Sequence, residues 1–288
     1  MILLTVALHP EARPLIARFR LQQDTTSHAI PVFRRDDLAL SVSGVGKLRS
    51  AIAATGLISR SNASQESVAL NIGIAGCTQE ADQGPIGIGN LFLAHRLVEA
   101  SSGREFFPDI LVKTDLPEAI VTTVDRPLLR ASNTEVAEGL VDMEASGFFL
   151  AAATFLPPHQ IGCLKIVSDF LETERFDKAW VSSLIEARME EIERTINAYR
   201  ALAALSVEVL DADEQALLSK IRVDLRLTAS QSKGLTDAAR GYKLRMASSL
   251  PDLTAFTQRH VTTRQESKLL FDRLRQVLSD ESLLPPVR

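Results

Sequence analysis

Two cysteines, Cys77 and Cys163, are all that the 288-residue chain contains. So few exclude a disulfide framework, and without a second pair they make no zinc site, which points to a reducing compartment. Each reads as a small buried hydrophobe. No apolar run approaches the roughly 20 residues needed to span a bilayer, so no membrane role is expected. The opening MILLTVALHP has no basic segment and breaks at His-Pro-Glu, so it reads as a first strand and not as a signal peptide. The cytoplasm is the expected location. A large excess of one charge is missing too: the formal net charge is -4, which does not suggest a nucleic-acid binder. Internal repeats and low-complexity segments are also absent.

What is present is the composition of a soluble globular protein, 45% hydrophobic and 24% charged. The length allows one large domain or two of ordinary size. Short β-rich runs alternate with amphipathic stretches over the first two thirds, the pattern of an α/β domain around a central sheet. The spacing predicts strands over 2–8, 38–44, 68–76, 90–99, 119–124 and 162–169. It predicts helices starting at Pro10, near Gly46 and near Glu144. From about Phe176 long helical patterns take over, and Trp180, Leu184, Ile185, Met189, Ile192 and Ile196 recur at helical spacing as core positions. After Val207, Asp211 is a candidate N-cap, and helical patterns run on with only Pro251 and the closing LLPPVR as strong breakers. This places a boundary near residue 206, with an α/β domain over 1–205 and an all-helical appendage over 206–288.

Several strand ends carry residues with chemical potential: Glu11 in ALHPEA, the glycines of SGVGK (43–47) and NIGIAG (71–76), and Asp169 in VSD. Open α/β sheets bind ligands beyond the carboxyl ends of their strands, so these residues have a common place to meet. Asp142, Met143 and Glu144 add two carboxylates at the head of an apolar run, where burial is costly without a partner. Each signal alone has a plain structural explanation. The glycines suit turns, Asp169 suits a cap, and Glu11 and Glu144 suit first helical turns.

Taken together, in order and at comparable intervals, ALHPEA, SGVGK, NIGIAG, VDMEA and VSD resemble the motifs of the purine nucleoside phosphorylase and uridine phosphorylase superfamily. The methylthioadenosine/S-adenosylhomocysteine nucleosidases are the most similar branch. The resemblance covers residues 1 to about 205. It implies a three-layer α/β/α nucleoside phosphorylase-like fold around a central mixed sheet, with no metal and no organic cofactor. It implies Glu11 as the carboxylate that orients and deprotonates water, and Asp169 as the acid that protonates the departing purine. Glu144 matches the ribose-gripping glutamate, able to accept two hydrogen bonds from a diol, and Met143 matches the methionine packed on the sugar. Val45, Ile74, Ala75, Gly76, Asp142, Lys165, Ser168 and Phe176 complete the implied substrate contacts. It also implies a homodimer in which one subunit closes the other's pocket, with REFFPD (104–109) at the interface.

Departures from the family's pattern shape the expected activity. Ile74 stands where a water-binding serine is common, and Lys165 stands where the nucleosidases have an arginine, keeping the charge but not the planar fork. Asn71 replaces an arginine that binds phosphate in the hexameric phosphorylases, and the ALHPEA turn lacks their Gly-Asp-Pro loop. The expectation is therefore a nucleosidase acting on a purine nucleoside or a 5′-substituted adenosine. A phosphate-dependent phosphorylase and a nucleoside-binding protein with weakened catalysis are the alternatives. The last draws on the basic stretch 219–246, whose seven cations (Lys220, Arg222, Arg226, Lys233, Arg240, Lys243 and Arg245) outnumber two aspartates. Tyr242 is its single aromatic residue, so a solvated face or an internal contact is expected there in place of nucleic-acid binding.

Overall fold

A parallel strand covered on both sides needs apolar side chains at nearly every position. The first strand, β1 (Ile2–Val6), meets that need and is buried along its whole length. The structure is a computed structural model that describes residues 1–26, 30–61, 67–78, 86–130, 138–172, 177–204, 209–246, 248–257 and 261–279. It divides into two compact units, Met1–Ser206 and Val207–Arg288.

In the first unit β1 is followed by α1 (His9–Phe19), β2 (Gln22–Gln23), β3 (Val32–Arg35), β4 (Leu38–Val42) and α2 (Lys47–Arg60). Then come β5 (Val68–Cys77), β6 (Leu91–Glu99), β7 (Arg104–Phe106), β8 (Glu118–Thr123) and β9 (Leu140–Asp142). The unit closes with α3 (Ala145–Ala152), β10 (Ile161–Asp169), α4 (Lys178–Ala187) and α5 (Met189–Ala204).

The strands form one mixed sheet, with β5 at its centre, parallel to β1 and β10 and antiparallel to β9. Strand β10 also pairs antiparallel with β6, and β6, β8, β9 and β5 pair in turn. The sheet therefore closes on itself as a ring of five strands, while β1, β4, β3 and β2 continue as an open wing. Two helical layers cover it. On one face Ala54 and Leu57 of α2 pack with Phe148 and Phe149 of α3. On the other, Leu15 of α1, Leu184 and Ile185 of α4, and Ile192 and Ile196 of α5 form a second core. This is the three-layer α/β/α arrangement that the resemblance implies. Gly147 lets α3 cross α2 closely, because a methyl there would stand 2.1 Å from the Lys47 carbonyl oxygen.

The six predicted strands are all present with ends shifted by one or two residues, and the three helices start within a residue of prediction. Four short strands leave no mark in the sequence: β2, β3, β7 and β9 have two to four residues each, too few for a period of two to register. The helical patterns beyond 177 are two helices, α4 and α5. Trp180 is a correction, since it leaves the core and is 44% exposed.

The second unit holds α6 (Ala212–Asp224), α7 (Ala229–Met246) and α8 (Arg264–Ser279) around its own core of Leu218, Ile221, Leu235, Leu274 and Leu278. Asp211 caps α6 as expected: it accepts from the Glu214 N–H at 2.9 Å while Glu214 accepts from the Asp211 N–H at 2.9 Å. Three of the seven cations in 219–246 are spent inside this unit. Lys243 pairs with Glu214 at 2.6 Å, Arg245 donates to the Leu278 carbonyl and Arg222 donates to Thr236. Among the described residues no helix is long and apolar enough to cross a membrane.

Candidate active site

The carboxyl ends of β1, β5 and β10 and the head of α3 surround one cavity of about 370 Å³. Glu11, Val45, Ile74, Ala75, Gly76, Asp142, Met143, Glu144, Ser168 and Asp169 all line it. Of the twelve residues singled out from sequence, ten therefore meet here. Lys165 sits behind the wall, and Phe176 lies outside the described residues.

Glu11 is held by backbone alone. Its Oε2 accepts from the N–H groups of Ala7 (2.9 Å) and Leu8 (2.8 Å), and its Oε1 accepts from the Ile74 N–H (3.0 Å). Burial pushes the carboxyl above its usual range, opposed by those N–H donors and by the charge of Lys165. Gly73 makes the arrangement possible, because a methyl there would come within 2.8 Å of Glu11 Oε1. So the glycine of NIGIAG serves the carboxylate, and Ile74 contributes its backbone where a serine hydroxyl is missing.

Glu144 is the N-cap residue of α3, yet its side chain makes no capping bond. Instead Oε1 accepts from the Gly46 N–H at 2.8 Å. Gly44 and Gly46 adopt φ of 81° and 110°, a region that favours glycine, and this turn aims the Gly46 N–H at the cavity. Burial, then the neighbouring Asp142 charge, raises Glu144 to about 7, against the opposing charge of Lys165. The lysine of SGVGK turns away and pairs with Glu99 (2.7 Å) and Asp125 (2.9 Å).

Asp142 does the capping that Glu144 does not. Its Oδ2 accepts from the N–H groups of Glu144 (3.2 Å) and Ala145 (2.8 Å), and its Oδ1 accepts from the Thr123 hydroxyl at 2.7 Å. Lys165 Nζ completes the shell at 2.7 Å from Oδ2, with side-chain exposures of 1% and 0% for the pair. The resemblance implies substrate contacts for both. Lys165 is buried and does not line the cavity, while Asp142 lines it with a carboxylate that four protein donors engage.

Asp169 closes β10 at a register shift between Val167 and Asp169 in the pairing with β5. Such an irregularity re-aims a side chain at the end of a ladder. The Ser168 hydroxyl lies 2.8 Å from Oδ1, and the Glu172 N–H donates to Oδ2 at 3.1 Å. Leu171 follows at φ 62°, and Gly76 leaves it room, since a methyl at 76 would meet Leu171 at 2.5 Å. Sequence reasoning misses the apolar wall made by Val124, Pro127, Leu128, Leu171 and Val181, and Lys178, the one cation among the described lining residues. The signal for the first three is the Pro-containing stretch after β8; Arg130, donating to the Phe170 carbonyl at 3.1 Å, ties that stretch to the end of β10. Among the described residues no cluster of His, Cys, Asp and Glu is arranged to hold a metal ion.

Fold and cavity together define a protein of nucleosidase-like architecture. No family model matches the sequence, and no curated protein matches it. Solved structures do match. The 5′-methylthioadenosine/S-adenosylhomocysteine nucleosidase of S. pneumoniae, solved with a transition-state inhibitor, is 16% identical with a TM-score of 0.55, covering 70% of this chain and 99% of that one. The Helicobacter pylori enzyme of the same name, bound to butyl-thio-DADMe-Immucillin-A, is 14% identical with a TM-score of 0.54, covering 68% of this chain and 97% of that one. Futalosine hydrolase of Helicobacter pylori is 16% identical with a TM-score of 0.54, at 68% and 97% coverage. At these identities the likeness establishes the fold.

Proposed function

We propose that the first unit is a nucleosidase that hydrolyses the N-glycosidic bond of a purine nucleoside or a 5′-substituted adenosine. The observation that carries this reading is the convergence of Glu11, Glu144 and Asp169 on one cavity from three separate strand ends. Glu144 keeps one carboxylate oxygen free of protein donors and offers it to the 2′ and 3′ hydroxyls of a ribose. Asp169 gives a proton to the purine so that the base leaves neutral. Glu11, poised by three N–H donors, takes a proton from the attacking water. The cation that develops on the sugar lies among placed carboxylates, and preorganised charge of this kind is usually what accelerates an enzymatic reaction most. Asp142 and Lys165 hold the head of α3, and so the ribose anchor, in place.

Purified protein incubated with adenosine, inosine, methylthioadenosine and adenosylhomocysteine, with and without phosphate, tests this. Release of free base without phosphate is expected. Release only with phosphate makes the protein a phosphorylase, and release of none rules out the nucleosidase reading for these substrates.

We also place the activity in the cytoplasm, which suits two cysteines that are free and buried, and propose that the protein works as a homodimer. Phe106 packs on Phe149 with ring centroids 5.8 Å apart, while the adjoining Phe107 is 56% exposed. Leu111 nearby in the chain is 62% exposed as well, and exposed apolar side chains of this kind suit a contact surface. Light scattering is expected to give twice the chain mass, and a monomer that binds nucleoside normally would remove the shared-pocket arrangement.

A further inference from the structure

We propose that Lys47, which does not line the cavity, is the positioning residue for Glu144: its ammonium fixes the turn whose Gly46 N–H holds that carboxylate ready for the ribose diol. This rests on the nucleosidase reading above and deepens it.

The first turn of a helix is a poor place for a cation, because the helix dipole already puts partial positive charge there. Lys47 is nonetheless the first residue of α2, behind a Gly46 that has no side chain to cap it, and no acidic residue in that turn offsets the ammonium. The compensation comes from two strand ends instead. Nζ lies 2.7 Å from Glu99 Oε1, at the end of β6, and 2.9 Å from Asp125 Oδ1, two residues past β8. It also donates to the Ser101 hydroxyl at 2.8 Å, so three acceptors use all three ammonium protons. The side chains of Lys47 and Glu99 are only 18% and 19% exposed, unlike the solvated pairs that contribute little.

The backbone of Lys47 is fixed as well, since Gly147 of α3 packs on its carbonyl with no room for a methyl group between them. A glycine turn is permissive, so the direction of the Gly46 N–H depends on what anchors the residues around it. Before it, the Gly44 N–H donates to the Ala7 carbonyl at 3.0 Å. After it, the anchor is Lys47. The strand ends that Lys47 reaches also locate the other side of Glu144. The Thr123 hydroxyl donates to Asp142 at 2.7 Å, and the Val124 N–H donates to the Asp142 carbonyl at 2.8 Å. Glu144 is thus set from two directions, through Asp142 at the head of α3 and through Gly46 at the head of α2, and Lys47 ties the second to the strand end that carries the first. The charged groups that bear on Glu144 are Asp142, Lys165 and Glu11, so Lys47 acts on it through geometry.

The experiment uses the full chain as wild type, Lys47→Met, Lys47→Arg, Asp125→Asn, Glu144→Gln and the double variant Lys47→Met with Glu144→Gln. Base release and calorimetric binding are measured on adenosine and 2′-deoxyadenosine. Lys47→Met is expected to lose about 10-fold in kcat/KM and affinity on adenosine but about threefold or less on 2′-deoxyadenosine, the scale of a weakened hydrogen bond to a charged group. Lys47→Arg, which keeps a cation of similar reach, should recover most of that loss. Asp125→Asn removes one arm at an exposed position and should show the same sugar dependence at smaller size. In the Glu144→Gln background Lys47→Met should add less than about twofold, because the two act as a unit. Equal losses on both sugars, or the full loss repeated in that background, make Lys47 a residue of stability alone and overturn the proposal. Should Lys47→Met fail to fold, Asp125→Asn decides in its place by the same comparison of sugars. Sugar-dependent loss of binding with no base release from wild type sustains the role of Lys47 while removing hydrolysis, and binding of neither nucleoside removes both.

Discussion

Lys165 Nζ lies 2.7 Å from Oδ2 of Asp142, and neither side chain reaches solvent. A buried ion pair of this kind is poor evidence of net stabilisation, because desolvation offsets most of the attraction, yet removing one partner leaves a stranded charge. Here the aspartate also caps α3, so the pair governs the helix head that presents Glu144.

Lys165→Met is therefore expected to lower unfolding free energy by about 3–5 kcal/mol, the cost of an uncompensated buried charge. Adding Asp142→Asn should recover much of that loss, since the amide oxygen can still accept from the Ala145 N–H. Urea denaturation of wild type, single and double variants reads this directly. A single variant as stable as wild type would show the pair to be expendable.

Asp169→Asn keeps the size of the side chain and removes the carboxyl acid. Turnover on a purine nucleoside should fall about 10²- to 10⁴-fold, the range for a general acid, with an unchanged circular dichroism spectrum. Wild-type turnover in that variant takes Asp169 out of the chemistry.

Glu144→Gln should penalise ribosides more than 2′-deoxyribosides, because hydrogen bonds to a charged group are worth about 1.5–3 kcal/mol and the deoxy sugar lacks one of them. Steady-state kinetics on a matched riboside and deoxyriboside measure the difference, and equal losses would assign Glu144 to the helix start alone.

The same residue predicts a pH effect on stability. Its folded-state pKa, raised from 4.5 to about 7, means that the folded protein holds an extra proton in between. The contribution is therefore fully present below the unfolded value and is lost as pH rises through about 7. Melting temperatures from about pH 4 to about pH 8.5 should fall more steeply in wild type than in Glu144→Gln over this window, and parallel curves would contradict the shift.

Gly73→Ala tests the seat of Glu11. A methyl 2.8 Å from Oε1 must displace a carboxylate that three N–H groups fix. Misplacing a catalytic group by about an ångström can cost up to about 10²-fold in rate, against about 1–3 kcal/mol of stability for overpacking. Unchanged kcat would mean that Glu11 tolerates the shift.

How far the sequence foretells this site depends on the kind of contact. Gly44, Gly46 and Gly73 matter through backbone geometry, and their motifs mark them. Asp142 and Glu144 both stand out in the sequence, but the division of labour between them is not legible there, since it depends on Lys165 arriving from a strand more than twenty residues later. The apolar wall of Val124, Pro127 and Leu128 is marked only by the Pro-containing stretch after β8. Such side chains become a surface only when the five-strand ring folds the end of β8 over the end of β10. Likewise, the helical spacing of Trp180 is real, but the first turn of α4 stands at the cavity rim, where periodicity cannot tell inside from outside.

The insertion of β10 between β5 and β6 has a consequence for how the protein is made. Strand β10 pairs with partners some 70 to 90 residues earlier in the chain, and it delivers both Lys165 and Asp169. Contacts so distant in sequence pay their loop-closure entropy late and slow the folding of the structures that depend on them. On a ribosome β1 to β4, α1 and α2 can assemble before β10 is made, so the cavity that Glu11 and Asp169 share is incomplete until the last strand of the ring has slotted home. Binding competence is thus a report on completed folding, and a slow refolding phase should restore nucleoside binding all at once and not in stages.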